Sequence, residues 1–163
     1  DAHGEQLAEM GKSIAEGVES VAGAKCSLKH INDASRADLL NIDGLILGSP
    51  NWSGISGDMK TWLDDQGDLW EEGILAGKIG AAFTTGRGRN SGVEFTLLSL
   101  IHWMLAAGMI IVGLPWTNLM KTSGSYYGAI SVGKINDEDK QQARILGCRA
   151  TQIASDLKSK KVN

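Results

Sequence analysis

The chain has 163 residues, enough for one domain that buries roughly 70% of its unfolded surface, so a single domain over 1–163 is expected. With 42% apolar residues and a net charge of −3, it carries no basic footprint for nucleic acid or an anionic membrane. No apolar run reaches the ~20 residues of a membrane span, and no signal-peptide pattern opens the sequence, which sets the expectation of a cytoplasmic protein.

In chain order, residues 4–20 place Leu7, Met10, Ile14 and Val18 at helical spacing among Glu and Lys, the pattern of an amphipathic helix. Ala24 to His30 reads as a short strand, and Ala34 to Leu40 as a short helix with Ser35 as its cap. The apolar run Ile42 to Leu47 reads as a strand that Pro50 ends. Met59, Trp62 and Leu63 share one helical face, with Gly67 as the expected C-cap. Ile79 to Thr85 is a second apolar run. Phe95 to Leu105 forms a helix that is apolar nearly all round, which calls for deep burial or a subunit interface. Met109 to Val112 and Tyr127 to Val132 read as further strands, and Asp137 to Leu157 as a long C-terminal helix. Cys26 and Cys148 read as buried free thiols, and the scattered His3, His30 and His102 lack metal-ligand spacing.

Continuous apolar strands alternating with amphipathic helices signal a parallel sheet covered on both faces. Right-handed crossovers then set the strand-to-helix loops along one edge, where ligands of such folds bind. Three loops meet these conditions: 48–54, 84–92 and 113–118. All three offer hydroxyls, amides and glycine-exposed N–H groups. Trp52 and Trp116 add indoles, each of which either packs on its own loop or covers part of a planar, polar-edged ligand. The glycine-rich loop 86–92 reads G-x-G-x-x-x-G. That is one residue too long for the dinucleotide fingerprint, and no acidic residue follows to hold a ribose.

The segments GSPNWSGISGDMKTWLDDQGDLW, LAGKIGAAFTT, EFTLLSL, GMIIVGLP, YYGAISVG and ARILGCRATQIASDL together make the chain resemble the flavodoxin-like flavoproteins. Within these it is most similar to the WrbA-type NAD(P)H:quinone oxidoreductases and short flavodoxins, from about Leu7 to Leu157. The resemblance implies an α/β three-layer sandwich with a parallel sheet in the order 2-1-3-4-5. It also implies noncovalent FMN, NAD(P)H as co-substrate, a quinone acceptor and a homo-oligomer, dimer or tetramer. Carried over by position, Pro50, Asn51, Trp52, Ser53 and Gly54 match the first isoalloxazine loop. Thr84, Thr85, Gly86, Arg87, Gly88, Arg89 and Asn90 match the second. Ala2, His3 and Gly4 match the end of the phosphate loop. Trp70 matches the tryptophan of the family's G-x-L-W, which often reaches the flavin pocket across a subunit contact. Trp70 and Trp116 are the residues expected on the substrate side.

Two departures stand out. The sequence begins where the family has already completed the central first strand, and loss of that strand would leave unpaired edges on both neighbours. Residues upstream of Asp1 are therefore expected to supply it. In addition, Ala2 stands where the family has a loop glycine and Gly4 where it has a hydroxyl residue. Backbone N–H groups at a helix start still suit a phosphate, while Asp1 and Glu5 bring acids near it.

With FMN bound, the protein's part is binding, orientation and local charge, and no catalytic side chain is expected. Backbone donors from Gly86 to Asn90 face the charge of a reduced ring. Arg87 and Arg89 add positive charge there, bind a nicotinamide nucleotide's phosphate, or stand as solvated loop charges. Three function classes follow: a quinone reductase, a one-electron carrier, and a scaffold that has lost FMN. Dedicated carriers resemble one another in a strongly acidic surface and an aromatic residue in the second loop. The modest charge and the lack of an aromatic in 86–92 favour the enzyme, and the altered phosphate loop favours the scaffold.

Overall fold

The computed structural model describes residues 2–161, with side chains from Gly4 to Lys160. The first helix, α1 (Ala2–Glu19), buries Met10 and Ile14 and turns its charged residues outward, as its periodicity predicts. A 3₁₀ turn (Ile31–Asp33) leads to α2 (Arg36–Leu40). Ser35 precedes α2, and its N–H donates to the Asp38 carboxylate at 2.9 Å, satisfying one donor at the helix start. Strand β1 (Gly44–Pro50), α3 (Gly57–Asp65), a single turn α4 (Asp68–Glu71) and β2 (Ile79–Gly86) follow. The chain then forms α5 (Val93–Ala106), β3 (Ile110–Ile111), a 3₁₀ turn (Asn118–Lys121), β4 (Ala129–Val132) and α6 (Asp137–Lys161).

All strand pairs are parallel, and the sheet is open. β1 lies along β2 from Gly44↔Ile79 to Pro50↔Thr85. The other side of β2 is shared: β3 pairs at its amino end (Ile79↔Ile110) and β4 at its carboxyl end (Phe83↔Ala129 to Gly86↔Val132). With partners on both sides and helices over both faces, β2 is buried at all eight positions. That burial explains its uninterrupted apolar and small-residue sequence.

One face carries α1 and α6, which bury Met10, Ile14, Ala143, Leu146 and Ala150 against Ile79, Ala81 and Phe83. The other carries α3, α4 and α5, which enclose Met59, Leu63, Leu69, Leu97, Leu100 and Met104 against Leu47 and Ala82. The result is a flavodoxin-like three-layer α/β sandwich. The helices α1 and α6 cross at backbone contact. A Cβ on Gly17 would lie 2.1 Å from the Arg144 carbonyl oxygen, and one on Gly147 would lie 2.2 Å from that of Ile14. Ion pairs from Arg144 to Glu16 and from Lys140 to Glu9, both at 2.6 Å, flank the crossing.

Four expectations are corrected. Ala24–His30 forms no strand: no strand pairs with it among the described residues, and most of its side chains are exposed. A strand is sustained by its ladder, so β-like composition alone leaves an extended loop. β1 likewise pairs on one side only among the described residues. Gly67 is not a left-handed C-cap. Gln66 ends α3, and Gly67 is right-handed (φ −54°, ψ −39°) because it leads directly into α4. The two thiols are free but half-buried: Cys26 sits in the unpaired stretch, and Cys148 lies on α6. Burial, with Glu19 nearby, raises the Cys26 pKa. Finally, β3 contains two residues rather than the four read as a strand, and the second half of that side of β2 is taken by β4. Among the described residues no helix is long and apolar enough to cross a membrane.

Candidate functional site

Two of the three predicted loops meet at the carboxyl end of the sheet. The first leaves β1 at Pro50, the second leaves β2 at Gly86, and these strand ends are neighbours. The Asn51 N–H donates to the Thr85 carbonyl at 2.8 Å, extending the ladder one step past the strand. The Asn51 side chain then spans the gap. Its Nδ2 donates to the Ser91 carbonyl (2.9 Å) and hydroxyl (3.2 Å), and its Oδ1 accepts from the Gly54 N–H (3.2 Å) and the Thr96 hydroxyl (2.9 Å). One amide therefore uses both its donor and acceptor ends to hold loop 1, loop 2 and the first turn of α5 together.

Below this clamp, Thr84 Oγ1 donates to the Ser49 carbonyl at 2.7 Å, and Ser49 Oγ accepts from the Ser56 N–H at 3.0 Å. Ser56 in turn caps α3 by accepting from the Met59 N–H. The loop between Pro50 and Ser56 is thus fixed at both ends. Its middle turns through Ser53 (φ 59°) and Gly54 (φ 128°), where the Trp52 N–H donates to the Gly54 carbonyl at 2.9 Å. A left-handed serine is uncommon, and beside it Trp52 is 59% exposed. A Cβ on Gly54 would meet nothing within 4 Å, so open space lies beside that turn.

Loop 2 closes on itself through the Ser91 N–H and hydroxyl, both donating to the Gly88 carbonyl at 3.2 and 2.5 Å. Gly86 is required at its base, since a Cβ there would strike Val93 Cγ1 at 2.5 Å. Arg87, Arg89 and Asn90 are exposed, and Arg89 donates to the Thr122 carbonyl. Thr85, wholly buried at the strand end, has a hydroxyl with no partner.

The third loop stands apart. The Val112 N–H donates to the Gly80 carbonyl at 2.8 Å, and the chain leaves the sheet there, well short of the carboxyl end of β2. Residues Gly113 and Leu114 run instead beside Tyr126, and Trp116 is 60% exposed on that excursion. Trp70 is also away from the clamp. It packs edge-on against Trp103, with ring centroids 6.0 Å apart, which is about 15 Å down α5 from Val93 at 1.5 Å per residue. Gly4 lies in the first turns of α1, and a Cβ there would meet nothing within 4 Å. The side chains of Ala2 and His3 lie outside the described residues.

Sequence reasoning found Asn51 and two of its partners, Gly54 and Thr85. Ser91 falls inside the expected second loop but not among the residues singled out, and Thr96 reads as one polar residue in an apolar helix. Both become visible only through contacts 40 to 45 positions apart in sequence.

Residues 10–122 match the family described as NADPH-dependent FMN reductase. An NAD(P)H dehydrogenase (quinone) from Archaeoglobus fulgidus is 42% identical over 131 residues, covering 80% of this chain and 69% of that one. Another NAD(P)H dehydrogenase (quinone), from Gluconacetobacter diazotrophicus, is 33% identical over 181 residues, covering 91% and 90%. In fold, the crystal structure of a WrbA-like flavodoxin from Agrobacterium tumefaciens matches with a TM-score of 0.73 at 22% identity, over 92% of this chain and 90% of that one.

Proposed function

The chain belongs to the NADPH-dependent FMN reductase family, and from that premise we propose that it is an FMN-dependent NAD(P)H:quinone oxidoreductase whose flavin lies between loops 1 and 2. The observation that carries this reading is the Asn51 clamp, which joins two glycine-bearing loops at the carboxyl ends of adjacent parallel strands. The FMN that these loops would hold supplies two-electron transfer chemistry between NAD(P)H and a quinone.

The residues present fit such a ring. Trp52 offers an exposed indole to one face. The open space beside Gly54 leaves room for a flat edge, and the buried, unpartnered Thr85 hydroxyl is the kind of group that a ligand satisfies. Backbone N–H groups of Gly88, Arg89 and Asn90 are the donors for the polar edge, and Arg87 and Arg89 supply positive charge beside it. At the other end, the opening turn of α1 around Ala2, His3 and Gly4 is the place for the phosphate, because its N–H groups and dipole favour an anion. The protein's work in turnover is to hold the ring, leave one face open for nicotinamide and then quinone, and stabilise negative charge on the polar edge. Trp70, packed on Trp103 well down α5, would act on substrate only if a second copy brings it to the cleft, and the exposed Trp116 is the other indole offered on the substrate side. On this reading residues 1–163 belong to one domain, and the protein works in the cytoplasm.

Stopped-flow mixing of the FMN-loaded protein with NADPH or NADH, with and without benzoquinone, tests it. Rapid flavin bleaching by either nucleotide and recovery on adding quinone are expected. A flavin that binds but is not bleached would mean a one-electron carrier. Absence of flavin binding would mean a scaffold.

A further inference from the structure

Loop 2 has a second side. Toward β1 it meets loop 1 through Ser91 and Asn51. Toward β4 its residues Arg89 and Asn90 form one wall of a cleft of about 360 Å³, closed by the first turn of α5, by β4 and by the segment 120–124. That volume falls within the roughly 300–1,000 Å³ of small-molecule sites. The proposed flavin position leaves this cleft unused.

The cleft is graded in polarity from floor to rim. Val93, Ser123, Ile130 and Asp139 line it and are buried, so they make the floor. With the half-buried Met120 and Val132 they give a flat ring an apolar surface. The polar groups of the floor are acceptors. Asp139 takes the Ser123 hydroxyl on Oδ1 at 2.5 Å, and the Ser131 hydroxyl and the Asn136 N–H on Oδ2, both at 3.1 Å. An ionised carboxylate has about four acceptor places, so one is left for a donor on a ligand.

The rim is cationic. Arg89 and Lys121 line the cleft and are exposed, and neither forms an ion pair among the described residues. Arg89 gives one bond, to the Thr122 carbonyl at 3.4 Å, which keeps its guanidinium beside the opening. Glu94 also lines the cleft, with one oxygen taken by the Ser125 hydroxyl at 2.5 Å. The carboxylates repel an anion from the interior, so a ligand carrying a phosphate enters with its base inward and its phosphate at the rim.

The matching ligand has a flat body, a donor at its inner edge and an anionic group at its outer end. An adenosine with a phosphate on its ribose has all three. We infer that this cleft takes the 2′-phosphoadenosine end of NADPH, its amino group toward Asp139 and its 2′-phosphate on Arg89 and Lys121, and so selects NADPH over NADH. Naming the nucleotide rests on the proposed reductase function. The rest of the dinucleotide would cross loop 2 toward the flavin.

Calorimetric titration of the full chain, with and without added FMN, tests this with 2′,5′-ADP and 5′-AMP as probes. The probe with the 2′-phosphate should bind at least about tenfold more tightly, the size of a charge-assisted contact. Lys121→Gln should remove most of that difference while leaving 5′-AMP affinity within about twofold, and Lys121→Arg should keep it. Lys25→Gln removes the same charge outside the cleft and should change either affinity by less than about twofold. Lys121 is exposed, so thermal melts of its variants should match the parent. Equal affinity for the two probes, indifference to Lys121→Gln, or an equal loss from Lys25→Gln would each overturn the inference. The titration has no redox step, so it is read apart from flavin bleaching: discrimination without bleaching counts against the reductase and not against the cleft.

Discussion

Replacing Asn51 with alanine removes a side chain that ties both loops to α5. The cost can be worked from its contacts. The Nδ2 bond to Ser91 and the Oδ1 bond from Gly54 are partly exposed and contribute about 1 kcal/mol each. The third is different in kind. Thr96 is fully buried, so loss of Asn51 Oδ1 strands its hydroxyl at a cost of about 1–3 kcal/mol. The sum, about 3–5 kcal/mol before relaxation, is a large fraction of the ~5–15 kcal/mol that holds a domain together. Urea unfolding monitored by tryptophan fluorescence should show the midpoint falling with the slope unchanged. A fluorescence titration should show FMN affinity falling at least about tenfold, because loops no longer joined must be ordered by the ligand. Asn51→Asp separates the two halves of the clamp. It keeps the acceptor for Gly54 and Thr96 but turns a carboxylate toward the Ser91 carbonyl, so stability should fall less than in the alanine variant while FMN affinity still drops. If Asn51→Ala left both stability and affinity within about twofold of the parent, the clamp would not be what joins the loops.

Trp52→Ala should weaken FMN binding by about tenfold in the same titration, with little change in urea midpoint, since the indole is 59% exposed and, on the proposed reading, would lie against the ring. Gly17→Ala and Gly147→Ala set two effects against each other. Helix propensity gains about 1 kcal/mol, but each new Cβ falls near 2 Å from a carbonyl oxygen of the facing helix, and forcing α1 from α6 costs about 1–3 kcal/mol or more; thermal melts should therefore show net destabilisation. The Lys29 ammonium, at 2.6 Å, holds the Asp38 carboxyl below its usual range. Because its folded value is the lower one, its contribution is present above the unfolded value of about 4 and is lost as pH falls through the folded value. Asp38→Asn should flatten the acid limb of a plot of urea midpoint against pH by a small amount, as the pair is exposed.

Much of the architecture was legible because burial leaves a period in sequence. The stripe Leu7, Met10, Ile14, Val18 located α1, and the uninterrupted run Ile79 to Thr85 identified a strand covered on both faces. What failed shares one cause. Ala24–His30 has β-like residues, yet a strand exists only where another strand offers a ladder, and composition does not report the neighbour. Met109 to Val112 was correct as strand-forming chain but not as a route to the carboxyl edge, because β4 occupies that part of β2. The third loop belongs at the cleft only if that strand runs on to the carboxyl edge. Gly67 reads locally as a stop signal, but here it bridges two helices. In the site, residue types were legible and connections were not. The sequence marks Asn51 as a polar residue in a turn, but nothing local links it to Thr96, 45 positions away, within an apolar helix.

The complete burial of β2 has a consequence for how the loops move. Its carboxyl end carries the roots of loop 1 through Thr85, of loop 2 through Gly86 and of the β4 turn through the Gly133 N–H. Amides along Ile79–Gly86 lie in the most shielded seam of the molecule, so deuterium should reach them last, and only when the whole domain opens. Traffic of any guest in the cleft therefore rides on rocking of the outer turns over an immobile keel, and can be fast without loosening the hull.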